Sequence, residues 1–255
     1  MKAPAFDYAR PKDVTGALKL LAQGGKAAAG TQSLGPMLNL RLLQPPLLVD
    51  LRHIEELKAV GESNDAVTLG ACITHAEVED GKAPDPTGGF LRAVASNIAY
   101  RAVRNRGTMG GSLVHADPAA DWPSALTLLG ATALIAGPGG RREVPVEKFI
   151  TGLFEVDLQP DELLVAIRIP KRTSAAKYGY WKFCRKAGEF PQAIGGALRD
   201  PVRGEERSVV GANGGAPKLF PNLRPAAAEM VILGRDPFIR QLHAVALKRA
   251  VSQVT

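Results

Sequence analysis

The chain has 255 residues, 45% of them hydrophobic and 22% charged, so it is long enough to bury a substantial core. No apolar run is long enough to span a bilayer, and residues 1–18 lack the apolar stretch of a signal peptide. The two cysteines, Cys72 and Cys184, lie far apart with no CxxC motif. This excludes a self-contained iron–sulfur cluster or a cysteine-based zinc finger, and it predicts a cytoplasmic protein.

The formal net charge of +7 raises the question of nucleic-acid binding. The basic clusters are short, aromatic residues make up only 5% of the chain, and no RNA- or DNA-binding motif accompanies them. We therefore predict no nucleic-acid partner. A polyanionic cofactor, or acidic partner subunits, would account for the charge equally well.

Residues 1–57 predict a compact βαβ-like unit. Apolar residues recur at helical spacing from 13 to 23, where Asp13 can cap the helix and Gly24 and Gly25 end it. A short strand over residues 27–29 and a GTQS loop follow, then a helix from about 34 to 42 and an extended segment at PPLLVDLRHI.

A second unit is predicted over residues 58–173. AVTLGACIT reads as a strand, Thr74 as the N-cap of the next helix, and residues 89–99 as a further helix. ATALIAGPGGRREVPV predicts a hairpin with GPGG at its tip. The period-two pattern of ELLVAIRIP predicts a strand that presents four apolar side chains on one face: Leu163, Val165, Ile167 and Ile169.

The polar segment KRTSAA, residues 171–176, predicts a boundary before a third unit over residues 174–255. Three strands are expected there, over residues 177–185, 193–199 and 207–211. Two helices follow; the second runs from about 236 to 253, with Asp236 as its cap and Pro237 at its first position.

Two loops combine small residues with hydroxyl groups, as anion-binding turns do. In AAAGTQS, residues 27–33, Gly30 lets the backbone approach a ligand, and the following residues offer amide hydrogens at the mouth of a helix. GTMGGS, residues 107–112, repeats this pattern. Each loop alone is also explained by ordinary turn chemistry, and neither is a GxGxxG fingerprint or a P-loop. Two such loops in separate units would suit a pyrophosphate held from both sides.

Several segments resemble the flavin subunit of the molybdenum hydroxylases, the family that includes the medium subunits of aerobic carbon monoxide dehydrogenase and xanthine dehydrogenase. They are AAAGTQSLGPMLNLRL, GACIT, RNRGTMGGSLVHADPAADWP, ELLVAIRIP, YGYWKFCRKAGEFPQAIGGAL and DPFIRQLHAVALKRAV, and they cover nearly the whole chain. The resemblance implies an α+β protein with an FAD-binding fold of two α/β subdomains, like that of vanillyl-alcohol oxidase, over residues 1–57 and 58–173. A C-terminal domain over residues 174–255, with a three-stranded antiparallel sheet and helices, is expected to follow.

The resemblance also assigns residues to FAD. The first loop is expected to hold the pyrophosphate and the second loop a phosphate and the ribityl chain. Asp121 is expected at the adenosine half, and Lys182 near the flavin ring, where a cation favours an anionic reduced flavin. The implied FAD contacts are Ala29, Gly30, Thr31, Gln32, Ser33, Leu34, Gly70, Ala71, Thr74, Thr108, Gly110, Gly111, Ser112, Asp121, Leu163, Leu164 and Lys182, with Tyr178 and Tyr180 as further ring neighbours.

The sequence departs from the family pattern at two positions where glycine is usual. Thr31 stands at the second glycine of the first loop, and Ala99-Tyr100 replaces Gly-His before the arginine-rich stretch. Without the resemblance, Lys182 would be read as a solvent-facing charge, and Asp121 would as readily be a solvated helix residue as a ligand.

Other candidate chemistry is weaker. His115 and Asp117 have no third metal ligand at credible spacing, so no metal site is predicted. Asp117 is expected to cap the following turn or helix, and His75 is expected to be structural. There is no GxSxG elbow and no recognisable Cys–His pair, which argues against nucleophilic catalysis. Cys184 is expected to be buried packing within a strand.

The resemblance implies an FAD-binding electron-transfer subunit of a heteromeric molybdenum hydroxylase. Its expected partners are a large molybdenum–pterin subunit and a small subunit with two [2Fe–2S] clusters, from which electrons pass through FAD to an external acceptor. Two alternatives stay open: a stand-alone FAD-dependent oxidoreductase and a flavin-free scaffold subunit. Against the first, the last unit has only about 80 residues for a substrate domain; against the second, Gly30, Gly110, Gly111 and Asp121 are intact.

Overall fold

The structure is a computed structural model that describes residues 2–230 and 236–255. In this part of the chain the α-helices are α1 (Val14–Leu21), α2 (Leu34–Asn39), α3 (His75–Glu79), α4 (Phe90–Ser96), α5 (Arg101–Arg104), α6 (Met109–His115), α7 (Asp121–Leu129), α8 (Val146–Phe149), α9 (Ala227–Met230) and α10 (Pro237–Val251). The strands are β1 (Asp7–Ala9), β2 (Lys26–Ala28), β3 (Leu47–Asp50), β4 (Val60–Glu62), β5 (Ala66–Gly70), β6 (Thr132–Gly137), β7 (Gly140–Pro145), β8 (Ile150–Gly152), β9 (Glu155–Val156), β10 (Leu163–Pro170), β11 (Lys177–Phe183), β12 (Ala193–Asp200), β13 (Glu205–Gly211) and β14 (Lys218–Phe220).

The N-terminal sheet is parallel, in the order β1-β3-β2. Asp13 caps α1 as predicted, since its side chain accepts a hydrogen bond from the Gly16 amide. Helix α2 is shorter than predicted because Arg41 adopts a left-handed φ of 57°. The Leu42 amide then donates to the Met37 carbonyl at 2.9 Å, which closes the helix in a Schellman motif.

The central sheet has the order β4-β5-β10-β6-β7 and is antiparallel. The predicted hairpin is confirmed as β6 and β7. The prediction that β10 presents its four apolar residues on one face is wrong. The register with β6 shifts between Leu164 and Ala166, so Leu163 and Val165 pack towards α1 while Ile167 and Ile169 pack into the core on the other side.

The C-terminal sheet is antiparallel, in the order β11-β12-β13-β14. The three predicted strands are present, and the short β14 adds a fourth that the sequence pattern missed. Helix α10 packs closely on this sheet: a Cβ added to Gly195 of β12 would lie 2.5 Å from the Ala246 backbone. Asp236 caps α10, accepting from the Phe238 amide, and Pro237 is its first residue, as predicted.

Helix α7 joins the central and C-terminal sheets, because Trp122 and Leu128 share one buried cluster with Leu198 and Val209. Each sheet draws its strands from one of the three predicted units, whose boundaries at 57/58 and 173/174 stay a prediction. Within residues 2–230 and 236–255, no helix is long and apolar enough to cross a membrane.

Candidate functional site

The two predicted loops lie directly against each other. The first leaves the carboxyl end of β2 at Gly30, and a Cβ added there would lie only 2.1 Å from the Arg106 carbonyl oxygen and 2.8 Å from the Gly107 Cα. Any side chain at position 30 would therefore push the loops apart. The close contact brings residues that are about 80 positions apart in sequence to a single edge of the protein.

The second loop is held in place by the segment that follows β5. The amides of Met109 and Gly110 donate to the carbonyls of Ile73 and Ala71, at 3.0 and 2.9 Å, and the His75 amide donates to the Gly107 carbonyl at 2.9 Å. Each of the two segments also contains a helix N-cap. Thr74 forms a capping box at the start of α3, and the Thr108 side chain accepts from the Gly111 amide. The candidate FAD contacts of the second loop and of the segment that follows β5 therefore form one surface. How they contact a ligand stays a prediction.

The first loop presents unpaired hydrogen-bond donors. No described residue accepts a hydrogen bond from the backbone amides of Thr31, Gln32 or Ser33, and the Ser33 side chain makes no capping bond at α2. The Gln32 side chain instead donates to the Gly30 carbonyl at 3.0 Å. These three residues and Leu34 are half-buried, so the donors lie at the surface and can meet an incoming anion.

Asp121, the first residue of α7, lies in a buried ion pair. Its side chain is 6% exposed, and Lys182 Nζ of β11 lies 2.9 Å from Oδ2 and 3.1 Å from Oδ1. The Tyr180 hydroxyl donates to Oδ1 at 3.0 Å, and Lys182 also donates to the Asn97 carbonyl at 2.7 Å. Burial raises the pKa of Asp121, and the Lys182 ammonium opposes that rise. Burial and the Asp121 carboxylate together raise the pKa of Tyr180 well above its usual value.

The structure brings Asp121 and Lys182 together, although different positions along FAD were expected for them. Asp121 was expected at the adenosine end of FAD and Lys182 near the flavin ring. The two side chains lie 2.9 Å apart, and how either of them contacts FAD stays a prediction. The alternative interpretation of either residue as a solvated charge does not hold, since both are largely buried and paired.

Three further residues expected at the flavin ring are engaged in packing. Leu163 and Leu164 are 4% and 3% exposed and lie in two different core clusters. The Tyr178 ring stacks on Phe90, with 5.2 Å between the ring centroids. Leu163 and Leu164 thus present almost no free surface to a flavin in this arrangement. Gly111 and Ser112 of the second loop, by contrast, are exposed and half-buried.

His75 was expected to be structural, and it has a hydrogen-bond partner that the sequence did not indicate. The Trp122 indole N–H donates to His75 Nδ1 at 2.9 Å, and both side chains are buried. Burial lowers the pKa of His75 to about 4, and the nearby Arg104 adds to this. His75 is therefore neutral at pH 7, and its Nδ1 serves as an acceptor. No sequence signal joined these residues, since they are 47 positions apart.

The remaining candidates fall outside the loops. Asp117 caps a turn as expected, accepting from the Ala119 amide at 2.9 Å, and the His115 ring packs against Phe154. Cys184 follows the end of β11 and is only half-buried, so its prediction as buried strand packing is wrong. Among the described residues, no group of three or more His, Cys, Asp or Glu side chains could hold a metal ion.

Sequence reasoning also missed a buried carboxylate at the carboxyl end of β3. Asp50 is 1% exposed; the Arg52 guanidinium lies 2.9 Å from each of its oxygens, and the Tyr8 hydroxyl donates to it. Burial alone would raise the pKa of Asp50, but the bonds from Arg52 and Tyr8 hold it well below its usual range. The next residue, Leu51, donates its amide to the Ala28 carbonyl, so this cluster braces the strand that leads into the first loop.

Comparison with known proteins agrees with this geometry. The family described as "FAD binding domain in molybdopterin dehydrogenase" matches residues 4–172. The chain is 38% identical to the 6-hydroxypseudooxynicotine dehydrogenase complex subunit alpha of Paenarthrobacter nicotinovorans over 200 residues, which are 77% of this chain and 67% of that one. It is 36% identical to the carbon monoxide dehydrogenase medium chain of Hydrogenophaga pseudoflava over 196 residues, which are 76% of this chain and 68% of that one.

Solved structures extend the likeness to the whole chain. Carbon monoxide dehydrogenase from Hydrogenophaga pseudoflava superposes with a TM-score of 0.90 at 27% identity, covering 100% of this chain and 98% of that one. Quinoline 2-oxidoreductase from Pseudomonas putida 86 superposes with a TM-score of 0.86 at 30% identity, with the same coverage. The chain therefore belongs to the FAD-binding family of the molybdopterin dehydrogenases. It is an oxidoreductase subunit with an FAD-binding domain, its relatives are subunits of dehydrogenase complexes, and the resemblance and fold class predicted from its sequence are confirmed.

Proposed function

We propose that this subunit receives electrons from the [2Fe–2S] clusters of a small partner subunit and passes them, through FAD, to an external acceptor. The molybdenum–pterin centre would lie in a large partner subunit. The names "medium chain" and "complex subunit" among the relatives support two kinds of partner. A cluster needs four ligands, usually cysteines, and this chain has two free cysteines, so the clusters belong to another chain. The same unpaired thiols support a cytoplasmic location.

The observation that carries the proposal is the row of unpaired amides in the first loop, set against the second loop by Gly30. A pyrophosphate bears two negative charges, and the amides of Thr31, Gln32 and Ser33 are the donors that an anion requires. We call the surface formed by the two loops the cradle. Gly30 holds the two loops in contact at one side of it, and Gly111 and Ser112 border it on the second loop. When bound, FAD supplies the redox chemistry; the protein supplies binding, orientation and electrostatics.

The buried ion pair of Asp121 and Lys182 supports a proposed position for the flavin ring. Lys182 and Tyr180 belong to β11 and reach Asp121 and the Asn97 carbonyl, which precede the predicted 173/174 boundary. We propose that the ring end of the cofactor would bind near this contact between the second and third predicted domains, where Lys182 would supply a positive charge. The domain division at 57/58 and 173/174 is part of the same proposal.

The test is the visible spectrum of the purified chain, followed by thermal melting with FAD, NAD or ATP. FAD at a hundredfold excess over its dissociation constant should stabilise the folded chain by about 2.7 kcal/mol, and NAD and ATP should not. The Gly30→Ala variant should lose this shift because its Cβ would collide with the Arg106 carbonyl. Gly35→Ala is the matched control, since a Cβ there meets nothing within 4 Å.

Two outcomes would replace the proposal. A folded chain with no flavin and no FAD shift, alone and in its assembled complex, would establish the flavin-free scaffold. A flavin-loaded chain that oxidises a substrate without co-purifying iron and molybdenum subunits would establish the stand-alone oxidoreductase.

A further inference from the structure

His75 connects the second loop to helix α7. Its backbone amide donates to the Gly107 carbonyl at 2.9 Å, and beside it Thr74 forms an antiparallel β-bridge with Thr108. The His75 ring accepts a hydrogen bond at 2.9 Å from the indole of Trp122, the second residue of α7. The side chain of His75 therefore fills the space between α7 and the second loop.

The ring of His75 packs directly on Gly107. A Cβ added to Gly107 would lie 2.7 Å from His75 Nε2 and 2.9 Å from His75 Cδ2. From the first loop, a Cβ added to Gly30 would lie 2.8 Å from the Gly107 Cα. Gly107 is thus packed between the His75 ring and Gly30, so the position of the ring limits where the second loop can lie relative to the first.

The bond from Trp122 fixes the orientation of this ring. Because an indole N–H can only donate, His75 Nδ1 must accept, and Nε2 is the ring nitrogen that faces Gly107. A ring turned over about its Cβ–Cγ bond would leave the indole N–H buried without an acceptor, since both side chains are buried. A hydrogen bond that locks a side chain in this way keeps a binding site in its productive geometry.

We propose that His75 is a positioning residue for FAD, which is oriented by Trp122 and whose ring holds the second loop at its spacing from Gly30. The residue acts through Gly107 and needs no contact with the cofactor. This inference rests on the proposed function, because the spacing matters for binding only if FAD occupies the cradle. Loosening the ring should weaken FAD binding more than a general loss of stability does.

The first test measures FAD affinity of the flavin-free full chain, by quenching of flavin fluorescence, at a temperature where every variant is folded. Trp122→Phe removes the donor and leaves the His75 ring unanchored, so it should bind FAD about tenfold more weakly, the effect of roughly one hydrogen bond. His75→Asn keeps an acceptor near the position of Nδ1 but removes the ring edge on Gly107, and it should weaken FAD binding at least as much. Ile135→Val is the control, since Ile135 is a buried residue of β6 outside both loops; it should lower the melting temperature and leave FAD affinity unchanged.

Hydrogen exchange of the flavin-free chains tests the positioning role without FAD. The amides of Met109 and Gly110, which donate to the segment that follows β5, should exchange about tenfold faster in Trp122→Phe than in the parent. The amides of Val209 and Val210 in β13 should change much less. A role in general stability alone would accelerate exchange in the loop and in β13 together.

Unchanged FAD affinity in Trp122→Phe and His75→Asn would overturn the inference, and so would equal acceleration of exchange in the second loop and in β13. If Trp122→Phe does not fold, His75→Asn decides the question by both measurements. A parent chain that binds no FAD would contradict the proposed function itself. In that case hydrogen exchange would still decide whether His75 holds the second loop in place.

Discussion

Replacing Lys182 by methionine should destabilise the protein strongly, because it leaves the Asp121 carboxylate buried without its counter-ion. Asp121 is 6% exposed and Lys182 14%, and the ammonium lies 2.9 and 3.1 Å from the two carboxylate oxygens. Breaking a buried pair by removing one partner costs about 3–5 kcal/mol. The remaining bond from the Tyr180 hydroxyl, 3.0 Å from Oδ1, does not replace the lost charge.

The penalty should depend on pH with a defined sign. Burial raises the pKa of Asp121, and Lys182 lowers it, so removing Lys182 raises it further. A carboxyl whose pKa is higher in the folded state favours folding at low pH and loses that contribution as pH rises through the folded pKa. The penalty of Lys182→Met should therefore be largest near pH 8 and should shrink towards pH 5.

Urea unfolding at the two pH values would measure this penalty. Lys171→Met is the matched control, because its partner Glu62 is 61% exposed and the pair should contribute less than about 1 kcal/mol. Adding Asp121→Asn to Lys182→Met should recover most of the loss, since the buried charge is then absent. A penalty below about 1 kcal/mol at pH 8, or no recovery in the double variant, would refute the reasoning.

Three further predictions concern stability. Trp122→Phe should cost about 1–3 kcal/mol in urea unfolding because buried His75 Nδ1 loses its donor; no loss would mean that water replaces the indole. Ala99→Gly should raise the melting temperature by about 2 °C, since its φ of 42° favours glycine, and a lower value would contradict this account. Asp50→Asn should destabilise the chain at pH 7. The pKa of Asp50 is depressed in the folded chain, so the stability that Asp50 contributes is lost as the pH falls below 3.8, the usual pKa of this carboxyl. The free energies of unfolding of parent and variant should therefore converge in acid. A constant difference between them down to pH 2 would refute this.

Much of the site and fold was readable from local sequence patterns. Gly30 and the GTMGGS loop marked the cradle, Thr74 and Asp236 marked helix starts, and GPGG marked the tip of the β6–β7 hairpin. These signals act within a few residues, through backbone conformation and capping hydrogen bonds. One short segment of the sequence therefore contains all the residues that form each turn or cap. The two departures from glycine, Thr31 and Ala99, are likewise visible in the sequence, and both occupy left-handed conformations in the structure.

Other features depended on residues that meet only in the folded chain. Lys182 and Asp121 are 61 positions apart, and nothing local distinguishes this buried pair from two solvated charges. The bulge in β10 redirects alternate side chains because of its pairing with β6, which the period of ELLVAIRIP cannot reveal. The sequence by itself determined the family, the two loops and the placing of glycines where backbones approach. Only the tertiary structure decided which charges are buried together and which donors stay unpaired, because burial and pairing are properties of neighbours distant in the chain.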